Sequence, residues 1–243
     1  PPPSFQAEDG IRDKQICLVG SEMCIRDRMS GVKKYDRTEL VHRAMDLFHR
    51  QGFNGTSTAE LVAELGVNRK SMYAEFGSKQ GLFEAALDHY NATSLSAVLE
   101  AVEGPDAGVD AIRSTFAGFA SGSEDWAQGR GCLLCNTAVE RASLVPASGE
   151  HVDAYFSRLT KAFRHAVVNA RERGELGDGA DPDELAAFFT MALIGVAALA
   201  KGRADPDQIH AACRVTTGVL DAHRPGGNSN EGRPGARVRI RPG

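Results

Sequence analysis

The chain of 243 residues lacks the motifs that most enzyme classes need. It has no glycine-rich phosphate loop, no His-Glu-x-x-His metal motif and no Gly-x-Ser-x-Gly nucleophile elbow. His151 and His165 fall on predicted helices without an evident acidic or nucleophilic partner. We therefore expect a protein that is not an enzyme, with no catalytic residue, no cofactor and no metal site.

Long hydrophobic runs and a cysteine framework are also missing. The longest apolar segment, from Leu185 to Ala200, is interrupted by Thr190 and Gly195, so we expect a buried or interface helix there and no membrane span. Five cysteines do not make a disulfide framework in a chain of this length, and the sequence shows no secretory signal. These features predict a protein of the reducing cytoplasm.

The chain has no overall excess of positive charge, because its net charge is −4. This value argues against a protein that coats nucleic acid indiscriminately. The charge is unevenly distributed, however. The segment from Met29 to Gln80 carries 8 Lys and Arg against 6 Asp and Glu, whereas Gly81 to Asp221 carries 11 against 20. The local basic surplus indicates where a contact with nucleic acid would lie.

Helical periodicity accounts for most of the chain between Asp36 and Ala222, and no alternating β pattern of useful length interrupts it. We predict an all-α fold in which a three-helix N-terminal unit is followed by six helices. The nine predicted helices are Asp36–Gly52, Ser57–Leu65, Asn68–Phe76, Ser78–Gly104, Asp106–Ala120, Gly131–Leu144, Gly149–Gly174, Pro182–Ala200 and Pro206–Ala222.

The segment from Thr56 to Leu82 has the pattern of two short helices joined by a glycine turn. Ser57 is a good N-cap and Glu60 stands three residues later, so the two residues can satisfy each other's backbone amides. Gly66 can adopt the left-handed conformation that a tight turn needs. This order of signals is typical of a helix-turn-helix DNA reader.

The second of these short helices is capped by Asn68 and begins with two cations, Arg69 and Lys70. Its apolar side chains, among them Met72 and Phe76, anchor it to the protein. A cationic first turn opposes the helix dipole, so we expect an anionic partner outside the protein. An ordinary polar surface helix is the alternative interpretation of the same residues.

Together with the helix from Thr38 to Gly52, this segment resembles the N-terminal domain of the tetracycline-repressor (TetR/AcrR) family of bacterial transcriptional regulators. The residues that carry the resemblance are Phe48, Gly52, Phe53, Thr56, Ser57, Gly66, Val67, Tyr73, Phe76, Lys79 and Leu82. Glu75 departs from the family, which often has an aromatic residue or His at that position. The resemblance extends in a more general way over the chain from Met29 to about Ala222.

The resemblance implies a cytoplasmic homodimer that represses transcription from a palindromic double-stranded DNA operator and is released by a small-molecule effector. Residues 29–80 would form the DNA-binding domain, and residues 81–222 would form the effector-binding and dimerisation domain. The residues assigned to DNA contacts are Thr56, Thr58, Asn68, Arg69, Lys70, Ser71, Tyr73 and Lys79.

The larger domain also contains candidate sites. The effector pocket is assigned to Phe116, Phe119, Trp126, Cys132, Cys135, Tyr155 and Phe163, although ordinary core packing is the alternative for each of the aromatic residues. The helix that begins at Pro182 is apolar around much of its circumference and must be covered on both sides. We expect a dimer interface there that includes Phe189, Leu193 and Val196, and burial inside one protomer would satisfy the same pattern.

Cys132 and Cys135 are spaced i, i+3 on one face of a predicted helix. They could form a thiol switch, or they could pack as small hydrophobic residues. The competing function is therefore an α-helical thiol redox protein that uses this pair. A redox motif of this kind is expected where a helix follows a strand, and no strand is predicted here. A disulfide inside an undistorted helix would also be geometrically awkward.

Both ends of the chain lack the periodicity of the middle. Residues 1–28 resemble translated sequencing-adaptor DNA joined upstream of a gene with Met29 as its start, and a genuine disordered arm is the alternative. Residues 223–243 are rich in Gly, Pro and Arg, so we expect a disordered tail.

Overall fold

The computed structural model describes residues 35–120, 129–140 and 146–226, and every regular element within those ranges is helical. The predicted all-α class and the order of nine helices are confirmed for this part of the chain. The helices are α1 (Arg37–Gly55), α2 (Thr58–Leu65), α3 (Arg69–Phe76), α4 (Lys79–Tyr90, Asn91–Leu95 and Ser96–Glu103), α5 (Val109–Ala120), α6 (Leu133–Glu140), α7 (Pro146–Glu172), α8 (Pro182–Lys201) and α9 (Pro206–Ala222).

Packing separates the residues up to Glu39 from those that follow. In the first unit, the described residues form the start of α1, where the Asp36 carboxylate accepts a hydrogen bond from the Thr38 amide at 2.8 Å. The second unit, from Leu40 onward, contains the helical core and both candidate sites. The expected features of residues 1–28 fall outside the described residues, as do those of residues 227–243 at the other end.

The caps of the two short helices are formed as predicted. The Ser57 hydroxyl accepts a hydrogen bond from the Glu60 amide at 3.2 Å, and the Glu60 carboxylate accepts one from the Ser57 amide at 2.7 Å. Gly66 ends α2 with φ 65° and ψ 21°, in the left-handed region. The Asn68 side chain then accepts a hydrogen bond from the Ser71 amide at 2.8 Å. These local bonds satisfy amides that the first turn of a helix leaves without partners.

Helices α1 and α4 differ from their predicted forms. The predicted end of the first helix at Gly52 is a kink, with φ 76° and ψ 171°, beyond which α1 continues to Gly55. Helix α4 contains a π-helical segment from Asn91 to Leu95 between two α-helical parts. The buried side chains of α4 therefore step by five residues from Tyr90 to Leu95, where an unbroken α-helix would step by three or four.

Helix α6 begins two residues later than predicted, at Leu133. The Cys132 carbonyl accepts the hydrogen bond of the Asn136 amide at 2.9 Å, which makes Cys132 the N-cap residue. Cys135 is then the third residue of the helix. The prediction that both cysteines lie inside one helix is wrong, because the glycine and the cysteine before Leu133 are not helical. Residues 141–144, at the predicted end of this helix, lie outside the described ranges.

Helices α5, α7 and α8 pack around an aromatic core. The rings of Phe116, Phe163 and Phe189 come from α5, α7 and α8, and their centroids lie 5.7 to 6.0 Å apart. All three side chains are fully buried. By length and composition alone, helix α8 is long and apolar enough to cross a membrane. The sequence prediction differs, because it takes the interruptions at Thr190 and Gly195 as evidence against a membrane span. The inward face of α8 packs against these aromatic rings.

Candidate nucleic-acid interface and internal cavity

The first turn of α3 presents polar groups on the protein surface. Arg69 and Lys70 are exposed, and Ser71 beside them is half-buried. On the opposite side of the helix, Met72 and Phe76 are buried and hold α3 against the protein. The N-cap therefore fixes the start of α3, the apolar pair fixes its rotation, and the two cations point away from the protein.

Tyr73 joins α3 to the start of α2. Its hydroxyl lies 3.5 Å from the Thr58 hydroxyl and 3.5 Å from the Arg69 guanidinium, which also lies 5.4 Å from the centre of the tyrosine ring. The hydrogen bond with Thr58, followed by the one with Arg69, lowers the pKa of Tyr73. We call Thr58, Asn68, Arg69, Lys70, Ser71 and Tyr73 the α2–α3 surface. It combines hydroxyl donors with cations, the groups that bind phosphate oxygens and base edges.

Thr56 and Lys79 are placed differently from the other six predicted DNA contacts. Thr56 is only 1% exposed, and its hydroxyl donates to the Gly52 carbonyl at 2.7 Å. The Lys79 ammonium donates to the Phe53 carbonyl at 2.6 Å and lies 4.1 Å from the centre of the Phe53 ring. Burial lowers the pKa of Lys79. Both residues thus stabilise the C-terminal end of α1.

A cavity of about 240 Å³ lies among helices α4 to α8. It is lined by Tyr90, Ser94, Leu95, Val98, Phe119, Gly131, Cys132, Tyr155, Leu193 and Ala197. Of the seven predicted pocket residues, Phe119, Cys132 and Tyr155 belong to this lining. Phe116 and Phe163 instead pack in the aromatic core, and Trp126 lies outside the described residues.

The residues of α4 that line the cavity were not predicted. Ser94 and Leu95 belong to the π-helical segment, and Val98 follows it. A π-helical turn is wider than an α-helical one and is often found at a functional site. The five-residue step from Tyr90 to Leu95 in the apolar pattern is the signal by which this part of the cavity could have been found.

Four polar side chains meet beside the cavity. The Tyr155 hydroxyl lies 3.1 Å from the Cys135 sulfur and 3.6 Å from the Cys132 sulfur. Hydrogen bonding from the Cys135 side chain lowers the pKa of Cys132 to about 6, with further contributions from the Cys135 amide and the Tyr90 and Tyr155 hydroxyls. The same Cys132–Cys135 hydrogen bond raises the pKa of Cys135. Burial raises the pKa of Tyr90 and Tyr155, so both phenols stay protonated and can donate.

This group of side chains has the character of a nucleophile site and not of a metal site. The thiolate is the reactive form of cysteine, and a lowered pKa increases the fraction of it at neutral pH. No group of three or more His, Cys, Asp or Glu side chains that could hold a metal ion occurs in the described ranges.

The segment that carries the two cysteines is attached to α1 at both ends. Before α6, the Gly131 carbonyl lies 2.9 Å from Nε2 of His49, a buried residue of α1. At the end of α6, the Glu140 carboxylate accepts hydrogen bonds from the Asn54 amide at 3.1 Å and from its side chain at 3.0 Å. A movement of α6 would therefore be transmitted to α1, against which the α2–α3 surface is built.

The three residues predicted at a dimer interface lie inside the protomer. Phe189, Leu193 and Val196 are all buried against neighbouring helices. Met191 of the same helix is 63% exposed, and Val215 of α9, which packs beside α8, is 74% exposed. We call the exposed sides of α8 and α9 that carry these two residues the outer face of α8 and α9. The predicted residues are thus core residues of one protomer. The exposed large apolar side chains of the described ranges are Met191, Val215 and Val139 of α6.

Comparison with known proteins supplies a family for this arrangement. Residues 40–86 match the model for bacterial regulatory proteins of the tetR family, and residues 108–216 match the tetracyclin repressor-like C-terminal domain. The chain is 30% identical over 194 residues to the HTH-type transcriptional regulator YezE of Bacillus subtilis, which covers 79% of this chain and all of that protein. It is 27% identical over 199 residues to the HTH-type transcriptional repressor ComR of Escherichia coli, covering 78% of this chain and 90% of ComR.

Solved structures agree with these relatives. A cysteine-substituted form of the TetR-family regulator CifR, bound to 26-base-pair operator DNA, has a TM-score of 0.67 at 26% identity and covers 77% of this chain and 98% of its own. A TetR regulator from Chloroflexus aurantiacus has a TM-score of 0.68 at 25% identity and covers 77% and 94%. The helix-turn-helix geometry, the two family matches and the full-length relative agree: the chain belongs to the TetR family of bacterial transcriptional regulators.

Proposed function

We propose that this TetR-family regulator is a cytoplasmic repressor without enzyme activity, which binds a palindromic operator and leaves it when a small molecule occupies the cavity. The observation that carries this proposal is the first turn of α3. Arg69 and Lys70 are exposed there on a helix whose cap and buried side are both complete. Such a helix can enter a major groove without rearrangement, since its orientation is already fixed.

The α2–α3 surface divides into two roles in this proposal. Arg69, Lys70 and Ser71 contact base edges or the phosphates next to them, because they occupy the first turn of the recognition helix. Thr58 and Tyr73 contact phosphates through their hydroxyls and set the register. Asn68, Thr56 and Lys79 act mainly by holding the helices in place, since their polar atoms already bond within the protein.

Residues 29–80 form the DNA-binding domain in this proposal, and residues 81–222 form the effector-binding and dimerisation domain. The dimer contact uses the outer face of α8 and α9, where Met191 and Val215 are exposed. A two-fold dimer would then place its two α3 helices in major grooves about one helical turn apart, roughly 34 to 36 Å, or a simple multiple of that distance. An effector acts by binding one arrangement of the dimer more tightly than the other.

Selection of bound duplexes from a random-sequence DNA pool tests the DNA-binding part. We expect a palindromic sequence to be enriched, and we expect Lys70→Ala to weaken its binding about tenfold to a hundredfold, corresponding to about 1–3 kcal/mol for one base contact. Lys161→Ala is the matched control, because Lys161 is an exposed lysine on α7. Failure to enrich any sequence, or equal effects of the two substitutions, would contradict the proposal.

Sedimentation tests the dimer contact. We expect the wild-type chain to be a dimer at micromolar concentration and Met191→Glu to be a monomer, because a dimer would bury the new carboxylates. Val139→Glu is the control, since Val139 is an exposed valine, 87% accessible, on a different helix, α6. A wild-type monomer, or a Met191→Glu dimer as stable as the wild type, would remove this face from the interface.

A further inference from the structure

The cavity has the shape and the wall chemistry for a small, largely apolar organic molecule. Leu95, Val98 and Phe119 form much of its wall, and its volume is about 240 Å³. An apolar cavity of about 150 Å³ is large enough to bind benzene. A single-ring molecule with one or two substituents therefore fits.

One nucleophile faces this cavity. Cys132 belongs to the lining, whereas Cys135 does not. Cys132 is also the N-cap of α6, so its sulfur accepts from the Cys135 amide at the positive end of a helix dipole. These contacts favour the thiolate form of the cysteine that a cavity ligand would meet.

The same wall carries a proton donor. The Tyr155 hydroxyl is buried, belongs to the lining and lies 3.6 Å from the Cys132 sulfur. A phenol at this distance can donate to an oxygen atom on a molecule that is bonded to that sulfur. The pairing of a thiolate with a nearby phenol suits a ligand that has an electrophilic carbon and a carbonyl oxygen a few bonds apart.

We propose that Cys132 captures the effector covalently, and that the effector is a small α,β-unsaturated carbonyl compound such as an enone or a quinone. This inference rests on the function proposed above and names the effector class for it. The thiolate lone pair forms a bond to the β-carbon, and the π electrons of the C=C bond move to the carbonyl oxygen. Tyr155 donates a proton to that oxygen and regains one from water, which also received the thiol proton. The resulting enol tautomerises: its O–H proton leaves to water and the α-carbon gains a proton from water, so the net reaction adds S and H across the C=C bond. In a quinone adduct, the ring hydrogen at the attacked carbon leaves instead, and a hydroquinone remains. Neither product needs an oxidant.

Addition changes the start of α6. A thioether carries no negative charge, so the hydrogen bonds of Cys132 with the Cys135 amide and the two phenols weaken. The neighbouring Gly131 has little room to adjust, because a Cβ at this position would lie 2.8 Å from the Ala197 carbonyl of α8. The Gly131 carbonyl bonds to His49, so the displacement reaches α1 directly. This route connects the adduct to the α2–α3 surface.

The test uses the full-length chain, the DNA selected from the random-sequence pool, and N-ethylmaleimide as the probe. N-ethylsuccinimide is the matched control reagent, since it has the same ring without the C=C bond. Among the three cysteines in the described ranges, we expect one adduct, mapped to Cys132 by peptide mass spectrometry, and at least a tenfold loss of DNA affinity. We expect no adduct and no loss with N-ethylsuccinimide. Adduct formation at Cys132 with unchanged DNA affinity would overturn the inference.

Variants separate the roles of the thiols. Cys132→Ser should bind DNA nearly as the wild type does, because serine is itself a good N-cap and adds no bulk at the start of α6. It should keep its affinity after treatment with N-ethylmaleimide. Cys213→Ser is the control, because Cys213 is a buried thiol on α9 outside the cavity lining, and it should respond as the wild type does. Release of DNA from treated Cys132→Ser, or preferential modification of Cys135 in the wild type, would overturn the inference. Hydrogen peroxide that releases DNA through a Cys132–Cys135 disulfide, with N-ethylmaleimide inactive, would overturn the assigned effector class.

The pH dependence of adduct formation does not require DNA. The pKa of Cys132, lowered to about 6, predicts a rate that levels off above about pH 7. An ordinary thiol would instead gain about tenfold per pH unit up to about pH 8.5. Tyr155→Phe should move the midpoint to higher pH, because it removes a hydrogen bond that favours the thiolate. A wild-type rate that climbs to pH 8.5 would overturn the inference, whereas absence of specific DNA binding before any treatment would contradict the underlying function instead.

Discussion

The α2–α3 surface and the cavity beside α6 differ in how far along the chain their hydrogen bonds reach. In the first region, Ser57 bonds to Glu60 and Asn68 bonds to Ser71, so each cap closes within three residues. In the second, the Tyr155 hydroxyl meets a sulfur 23 residues away, at Cys132. The α2–α3 surface is therefore encoded locally, whereas the cavity exists only after distant helices have packed.

This difference assigns different physical roles to the two regions. Helices α2 and α3 have eight residues each and would be unstable alone. Their caps set local conformation, but their orientation depends on α1. Gly131, just before α6, bonds to α1 through His49, and Glu140, at the end of α6, bonds to it through Asn54. A displacement beside the cavity can thus shift α2 and α3 together, without changing the local hydrogen bonds within them.

Loss of the Phe189 ring should break the non-local region most severely. Phe189 is fully buried and contacts the rings of Phe116 and Phe163, so Phe189→Ala should lower the free energy of unfolding by about 3–5 kcal/mol. Phe188→Ala is the control, because Phe188 is only half-buried on the same helix. Urea denaturation followed by circular dichroism measures both. Equal losses for the two variants would contradict the central place of Phe189 in the core.

Gly52→Ala tests the junction between the two regions. Gly52 has φ 76° and ψ 171°, a conformation that costs other residues about 1–3 kcal/mol, and a Cβ there would also overlap the Glu140 carboxylate. Gly174→Ala is the control, since its φ is 71° but the space around it is open. We expect the larger loss of unfolding free energy at Gly52, and we expect Glu140→Ala to remove part of it. A loss no larger than that at Gly174 would show that the overlap relaxes freely.

Breaking a local cap should cost less. Ser57→Ala removes the hydroxyl that accepts from the Glu60 amide and should lower the free energy of unfolding by about 1 kcal/mol. Ser57→Asp should retain most of the stability, because aspartate is also a good N-cap. Thermal unfolding of the three proteins measures the difference. Equal destabilisation by Ala and Asp would indicate that the cap is not the relevant interaction.

The smallest effect is expected at Lys79. If its ammonium reaches a DNA phosphate from its position beside Phe53, Lys79→Met should lower the slope of log affinity against log salt by about 0.9. Lys79→Arg should keep the slope, because it keeps the charge. Titrations with operator DNA at several salt concentrations measure it. A slope unchanged in Lys79→Met would leave Lys79 only its role at the end of α1.

The same contrast explains which features the sequence could predict. The caps at Ser57 and Asn68 and the turn at Gly66 depend on residues a few positions apart, so their pattern is visible in the chain and the predictions are confirmed. The placement of Phe189 and Lys79 depends on which helix lies beside each side chain. Apolar periodicity indicates that Phe189 must be covered, but it does not distinguish a neighbouring helix from a second protomer.

The N-cap position of Cys132 could not be predicted from the sequence. Helix boundaries read from a sequence shift easily by one or two residues, and a shift of two moves this residue from inside α6 to its N-cap. The shift changes its chemistry, since only the N-cap position directs the sulfur toward the amides at the start of the helix. The glycine at 131, with φ 65°, is the physical cause, because it holds the chain in a non-helical turn just before the helix.

The π-helical segment of α4 can be regarded as a helix with one residue too many. Its extra residue is absorbed between Tyr90 and Leu95, so the buried sides of both flanking α-helical parts still face the same core. Deleting one residue there would leave those two sides in register and close the wider turn on which Ser94 and Leu95 reach the cavity. Deletion of this one residue would then remove ligand sensing and leave DNA binding intact. Such a shortened chain would be a repressor that no effector can release.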